Sequence, residues 1–276
     1  MIAVGRLDGR TAFITGIARG QGRSHAVTLA EQGANIIGVD LCGQLDTVSY
    51  RMSSQEDLEK TVRMVQSTGR DIVAMTADVR DQDALRLAFS AGLDRFGTVE
   101  IVIANAGIMA HSMPPHADTR ANWDDSIGVM LTGTWNTLQV TVPTLKEQGI
   151  GGSIVIMSSS VGVRPAPSDL SGGFDGYIAA KFGVVGLMQS YAMELAEYSI
   201  RVNSIHPTGV ATPMVMNDFF GPYMEANPKI AASAQNRLPV EVVEPRDVSQ
   251  VILFLVSDDG RFITGTQQRI DAGVCL

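Results

Sequence analysis

Short apolar runs, rich in β-branched residues, recur along the chain and alternate with segments whose apolar positions return every three or four residues. The short runs fall at 11–15, 35–40, 71–78, 100–104, 153–158, 201–206 and 267–271, and they predict strands. They are almost continuously apolar rather than alternating, as strands are when a parallel sheet is covered on both faces. The helical patterns span 22–32, 56–68, 82–96, 120–147, 177–198 and 245–256. Strand follows helix with no break in composition, no repeat and no linker. The expectation is therefore an α/β fold over residues 1–276 as a single domain, a doubly wound parallel sheet of about seven strands with helices on both faces.

Three connections are longer than joining the elements requires: 41–55, 162–176 and 212–244. All three leave the carboxyl ends of strands, the edge at which open α/β sheets bind ligands. With 276 residues, 45% apolar and 18% charged, the chain can bury a large core. Its net charge of −8 argues against a nucleic-acid or anionic-membrane partner, since both require a basic face. Cys42 and Cys275 stand far apart, in no metal-ligand spacing, so neither a disulfide framework nor a metal site is expected. No signal-peptide core opens the sequence, and no apolar stretch approaches the roughly 20 residues of a membrane span. The expected location is the cytoplasm.

Directly after the first strand comes Thr15-Gly16-Ile17-Ala18-Arg19-Gly20-Gln21-Gly22, then a helix. Glycines there let the backbone turn tightly and approach a pyrophosphate, whose charge the helix N-terminus stabilises. The spacing is G-x-x-x-G-x-G rather than the usual G-x-G-x-x-G fingerprint. On a strand–turn–helix it points to a Rossmann-type sheet, the alternative being a glycine-rich turn with no ligand. Asp40 closes the second strand, where an acidic residue accepts hydrogen bonds from the adenosine ribose hydroxyls and repels a 2′-phosphate. That selects NAD over NADP. Arg19 points the other way, since a guanidinium could neutralise a 2′-phosphate, but the strand-end carboxylate faces the ribose more directly.

Tyr177 and Lys181 stand four residues apart in a helical segment and so share one face. A phenol titrates near about 10, and a neighbouring ammonium lowers that value, so the pair can exchange a proton with a substrate oxygen. Upstream, Ser158-Ser159-Ser160-Val161-Gly162 ends the fifth strand and can orient that oxygen.

Together these residues resemble the short-chain dehydrogenase/reductase family along the whole chain. The resemblance also rests on Asp78-Val79, Asn105-Ala106-Gly107, Arg201-Val202-Asn203, Phe262-Ile263-Thr264-Gly265 and Asp271-Ala272-Gly273. It implies Ser159 as the substrate-orienting serine, Tyr177 as acid/base, and Lys181 as holder of the nicotinamide ribose. It further implies Asp78 and Val79 at the adenine, Asn105, Ala106 and Gly107 along the cofactor, and Val210 and Thr212 at the carboxamide. Gly16, Ala18, Arg19, Gly20, Gln21, Gly22, Asp40 and Leu41 complete the expected nucleotide site, with no metal. The implied reaction is hydride transfer between NAD and a secondary alcohol or ketone, in a homotetramer. In two places the chain departs from the family. Val129-Met130-Leu131-Thr132-Gly133 carries Met130 where the family has an asparagine that supports a proton relay. Thr208 follows Pro207 where the family commonly has glycine.

The 41–55 insertion, with Gly20-Gln21-Gly22-Arg23-Ser24-His25-Ala26 and His206-Pro207-Thr208-Gly209-Val210, resembles the carveol-dehydrogenase-like, mycofactocin-associated branch of actinobacterial members. That branch implies retained NAD and an external redox cofactor as electron acceptor. The insertion is expected either to fold over the adenosine half or to touch a neighbouring subunit. Residues 212–244 are the expected substrate lid. Met214, Met216, Phe219, Phe220, Tyr223 and Met224 suggest an apolar pocket for a terpenoid-like or cyclic alcohol, or simply pack the lid. A catalytically weak dinucleotide-binding sensor or scaffold is the alternative, supported by Met130. A nucleoside-sugar epimerase, the third idea, shares the fold and catalytic pair. Such enzymes, however, usually carry a larger C-terminal substrate domain, which is not expected in these 276 residues.

Overall fold

Each of the seven runs expected as strands forms one, and the five central strands bury nearly every residue of both faces. A computed structural model describes residues 5–111 and 118–276. The chain runs β1 (Thr11–Thr15), α1 (Gly20–Glu31), β2 (Asn35–Asp40), α2 (Gln55–Gln66), β3 (Ile72–Thr76), α3 (Gln82–Phe96) and β4 (Ile101–Ala104). Then follow α4 (Thr119–Ile127), a π-turn (Gly128–Thr132), α5 (Gly133–Gln148), β5 (Gly152–Met157) and a 3₁₀ turn (Ser160–Gly162). The last part holds α6 (Gly173–Leu195), β6 (Ile200–Pro207), α7 (Phe220–Ala226), α8 (Pro228–Ser233), α9 (Pro245–Val256) and β7 (Gln267–Ile270).

The strands form one sheet in the order β3-β2-β1-β4-β5-β6-β7, with parallel pairing throughout. Successive residues of each strand feed opposite layers. Phe13, Ile37, Val102 and Ile154 pack with α3, α5 and α6. Ala12, Ile14, Ile36, Ile103 and Val155 pack with α1, α2 and α9. The chain reverses its direction of winding between β1 and β4, so the carboxyl ends of these two strands open into a crevice.

Two helices differ from the expected spans. The segment expected as one helix over 120–147 is interrupted by the π-turn at Gly128–Thr132, which contains Met130. The helix expected from 177 begins at Gly173, one turn earlier. Among the described residues, no helix is long and apolar enough to cross a membrane.

Candidate active site

The glycine loop folds back on itself at the mouth of the crevice. Gly16 and Gly20 have φ of 72° and 55°, a region that side chains rarely adopt. A Cβ at Gly22 would lie 2.0 Å from the Gly16 carbonyl oxygen, so the close approach of helix to loop requires glycine. The N-terminus of α1 has no side-chain cap and no acidic residue in its first turn. That leaves its partial positive charge for an anion.

At the end of β2, Asp40 is 8% exposed. One carboxylate oxygen accepts the Ala18 N–H at 2.8 Å, the other the Ser53 hydroxyl at 2.5 Å and the Cys42 N–H at 3.3 Å. Asp78 is gripped by Arg80, whose guanidinium also bonds Asp125 at 2.7 Å. Burial alone would raise the Asp78 pKa, but the bonds and charge of Arg80 outweigh it and hold the carboxyl below its usual range. Asn105 braces the loop by donating to the Thr15 carbonyl at 2.8 Å.

These groups line a cleft of about 1090 Å³, open to solvent. Of the residues expected at a cofactor, Gly16, Arg19, Gly20, Gln21, Asp40, Leu41, Asp78, Val79, Asn105, Ala106, Gly107, Tyr177, Lys181 and Thr212 face it. Three stand back. Ala18 is buried behind Asp40, Gly22 packs on Gly16, and Val210 opens on a neighbouring cavity. Arg19 has no carboxylate partner among the described residues. It lies over the Tyr50 ring at 5.7 Å and donates to the Arg51 carbonyl, and burial lowers its pKa. Leu45, Tyr50, Met52 and Ser53 of the 41–55 strap also line the cleft. Sequence reasoning flagged the strap without these residues, although Tyr50 is its single aromatic.

At the other end of the cleft, α6 presents Tyr177 and Lys181 one turn apart. Lys181 is 5% exposed, and its Nζ donates to the Met157 carbonyl at 2.8 Å. Burial pulls its pKa down to about 8. The Ser158 hydroxyl donates to the Lys181 carbonyl at 2.8 Å, tying the serine run to α6. The Ser159 hydroxyl lies beside the Tyr177 phenol. The expectation that Lys181 lowers the Tyr177 pKa is corrected by the surroundings of the phenol. Burial pushes it up, the Ser159 hydroxyl pulls it only partly back, and the ammonium stands 5.5 Å from the ring centroid. Met130 is 1% exposed and walls the same corner: a Cβ at Gly107 would sit 3.7 Å from its Cγ and 3.8 Å from Lys181 Nζ. The Met157 carbonyl, not a side chain at position 130, partners the amine.

A second cavity of about 1020 Å³ adjoins the first, and both are lined by Gln21, Ser158, Tyr177, Thr212 and Met214. The two spaces meet at Tyr177, with Ser159 on the far side. The second is walled by Met109, Phe174, Met214, Phe220, Tyr223 and Met224. Met216 and Phe219, expected in such a pocket, lie outside it. Met216 is 63% exposed, and Phe219 turns from the start of α7 onto His111 and Tyr223. Tyr223 in turn donates to Asp169 at 2.8 Å.

Comparison with known proteins places these features. The family described as Enoyl-(Acyl carrier protein) reductase matches residues 16–275. An uncharacterized oxidoreductase of Mycobacterium tuberculosis is 49% identical over 268 residues, covering 97% of this chain and 96% of the relative. The (−)-trans-carveol dehydrogenase of Rhodococcus erythropolis is 42% identical over 280 residues, covering 98% and 99%. Among solved structures, carveol dehydrogenase from Mycobacterium avium in complex with NAD superposes with a TM-score of 0.90 at 41% identity, covering 98% of this chain and 99% of that one.

Proposed function

The chain belongs to the short-chain dehydrogenase/reductase family, and from that premise we propose that it moves hydride between NAD and an apolar secondary alcohol or ketone, cyclic or terpenoid-like. One observation carries the reading. A cleft with nucleotide features and an apolar cavity meet at a single phenol, Tyr177.

The residues present fit NAD. The glycine cradle that a Cβ would fill and the uncapped α1 suit a pyrophosphate, and the carboxylate of Asp40 suits a ribose diol and repels a 2′-phosphate. Gly16, Arg19, Gly20 and Gln21 would hold the pyrophosphate, with Gly22 allowing the approach. Asp40, Leu41, Asp78 and Val79 would hold the adenosine, with Ala18 bracing Asp40. Asn105, Ala106 and Gly107 would line the middle, Lys181 the second ribose, and Val210 and Thr212 the carboxamide. When bound, NAD supplies the hydride acceptor or donor.

The chain's own residues do the rest. The Ser159 hydroxyl orients the substrate oxygen. Tyr177 takes its proton during alcohol oxidation or gives one during ketone reduction, at the phenol oxygen. The Lys181 amine is held on the Met157 carbonyl, within reach of the second ribose, and the Met and Phe walls exclude water. Residues 212–244 act as the substrate lid. The 41–55 strap closes the adenosine half and retains NAD, so electrons leave to an external redox cofactor. The (−)-trans-carveol dehydrogenase relative supports the substrate class. The expected assembly is a cytoplasmic homotetramer.

The test is to acid-denature the purified protein and identify any released nucleotide by chromatography, then assay carveol and cyclohexanol with a dye acceptor. Near-stoichiometric NAD and dye reduction that Tyr177→Phe abolishes are expected. Released NADP would overturn the Asp40 argument, an empty protein the retention argument. Turnover unaffected by Tyr177→Phe would sink the mechanism.

A further inference from the structure

Ser159 stands just beyond the point where the sheet stops holding the chain. The ladder between β5 and β6 ends with the Ser158 N–H on the Ile205 carbonyl, 2.9 Å. Past it, Ser159 has an extended backbone, φ −163° and ψ 165°, before the 3₁₀ turn begins. Its own hydroxyl has one further backbone contact, a long one from the Val161 N–H at 3.4 Å. A side chain so placed would swing unless something fixes its peptide.

His206 does so. It is fully buried near the end of β6, with Nδ1 2.9 Å from the Ser159 carbonyl oxygen and Nε2 2.8 Å from the Ser204 hydroxyl. A carbonyl oxygen only accepts, so the proton sits on Nδ1 and the Ser204 hydroxyl donates to Nε2. The same carbonyl accepts the Gly162 N–H at 2.9 Å, so its two lone pairs are both engaged. Burial, with repulsion from Lys181 and Arg269, keeps the ring neutral against the pull of the Ser159 carbonyl and of Asp271.

We infer that His206 is a positioning residue: its Nδ1–H pins the Ser159 peptide and so keeps the Ser159 hydroxyl against Tyr177. The inference rests on the oxidoreductase reading above. It assigns His206 no contact with substrate or cofactor. Its effect is geometric, and a displacement of about 1 Å at a reacting group costs on the order of 100-fold in rate.

Three variants separate this from a merely structural role. The carboxamide of His206→Asn can place an N–H where Nδ1 stands, that of His206→Gln reaches the Nε2 place instead, and His206→Leu supplies neither. Each NAD-loaded protein is assayed on carveol and cyclohexanol with dichlorophenolindophenol as acceptor, across pH, beside the wild type and Tyr177→Phe. His206→Asn is expected within about 3-fold of wild type. His206→Gln and His206→Leu are expected to lose about 10- to 100-fold in kcat, with KM changed less than about 2-fold. In both, the rising limb of the oxidation profile moves to higher pH, because a displaced Ser159 hydroxyl no longer pulls the phenol down. Should His206→Leu fail to fold, the contrast between the Asn and Gln variants still decides.

Wild-type kinetics in His206→Gln, or an equal loss in all three variants alongside a fall in Tm, would overturn the inference and leave the oxidoreductase reading intact. A wild type that oxidises neither alcohol, or a Tyr177→Phe protein that matches it, would defeat that reading first and the role of His206 with it.

Discussion

Lys181 carries its charge where charge is disfavoured. Its pKa falls from an ordinary 10.5 to about 8 because the side chain is buried, and among the described residues the Met157 carbonyl is its one hydrogen-bond partner. Below pH 8 the folded and unfolded chains both hold the proton, and the folded state bears the whole desolvation cost. Between about pH 8 and 10.5 the folded lysine releases its proton first, so this group's penalty fades as pH rises. A drop of that size corresponds to roughly 3 kcal/mol. Lys181→Met removes the penalty but orphans the Met157 carbonyl, at a cost of about 1–2 kcal/mol. Urea denaturation of the nucleotide-free variant at pH 7 should therefore show a gain of about 1–2 kcal/mol that shrinks toward pH 10, with activity lost. A destabilised variant at pH 7 would mean that the amine is not strained in the folded protein. Tyr177 gives the complementary expectation. Its phenol is raised by burial and stays protonated at neutral pH. Alcohol oxidation should keep rising with pH above neutrality while ketone reduction stays flat until the phenol itself ionises, and pH–rate profiles in both directions check it.

Elements repeat the contrast between what pattern reveals and what packing decides. Strands β1 and β2 coincide with their expected spans because an unbroken apolar run has one way to be buried in a covered parallel sheet. The π-turn was invisible, since one extra residue in a turn leaves the apolar spacing of 120–147 almost unchanged. The early start of α6 was hidden by Ser171-Gly172-Gly173, which reads as loop although the Ser171 hydroxyl accepts the Phe174 N–H at 3.3 Å. The contact of α1 with α9 was equally hidden, and it carries a prediction. His25 is fully buried between them, with Nδ1 2.8 Å from the Ser249 hydroxyl and its pKa pushed down to about 3 by burial. The unfolded chain takes up a proton there near pH 6.5 and the folded chain does not, so stability is lost as pH falls below 6.5 toward 3. By pH 5 the loss from this residue is about 2 kcal/mol. His25→Asn should start less stable at pH 7 but lose less between pH 7 and 5, measured by urea midpoints. Parallel pH dependence in the two proteins would clear His25 of the effect.

Across the whole molecule, the strap beside the nucleotide-like cleft and the segment walling the apolar cavity are joined by one short stretch, 109–111. The Met109 N–H donates to the Tyr50 hydroxyl at 3.1 Å and the His111 N–H to the Thr47 carbonyl at 2.7 Å, while Val48 bridges to His111. On the other side the His111 ring packs on Phe219 and Tyr223 of the lid, at 5.2 and 4.7 Å. The glycine loop, Asp40 and the Ser-Tyr-Lys set were legible because each is a short local signal at a strand end. The strap's cross-links were not, because they join residues about 60 positions apart and use backbone groups of 109–111 that carry no sequence signature. The strap's grip on this stretch bears directly on the nucleotide retention proposed above. Tyr50 is buried, lines the cofactor cleft, faces Arg19, and has its hydroxyl pushed up to about 12 by burial, so it serves as a neutral acceptor at any working pH. Its ring walls the cleft while its oxygen anchors the strap to Met109. Tyr50→Phe, which keeps the ring, should release NAD within about 3-fold of the wild-type rate, since one neutral hydrogen bond contributes about 1 kcal/mol or less. Tyr50→Ala removes the ring and the Arg19 contact, a change of about 2–3 kcal/mol, and should speed release by about 30- to 100-fold. Loading the protein with labelled NAD and chasing with unlabelled NAD measures both rates. Release from Tyr50→Ala as slow as from the wild type would mean that the strap only decorates the cleft, and retention would have to be sought in the groups that grip the nucleotide itself.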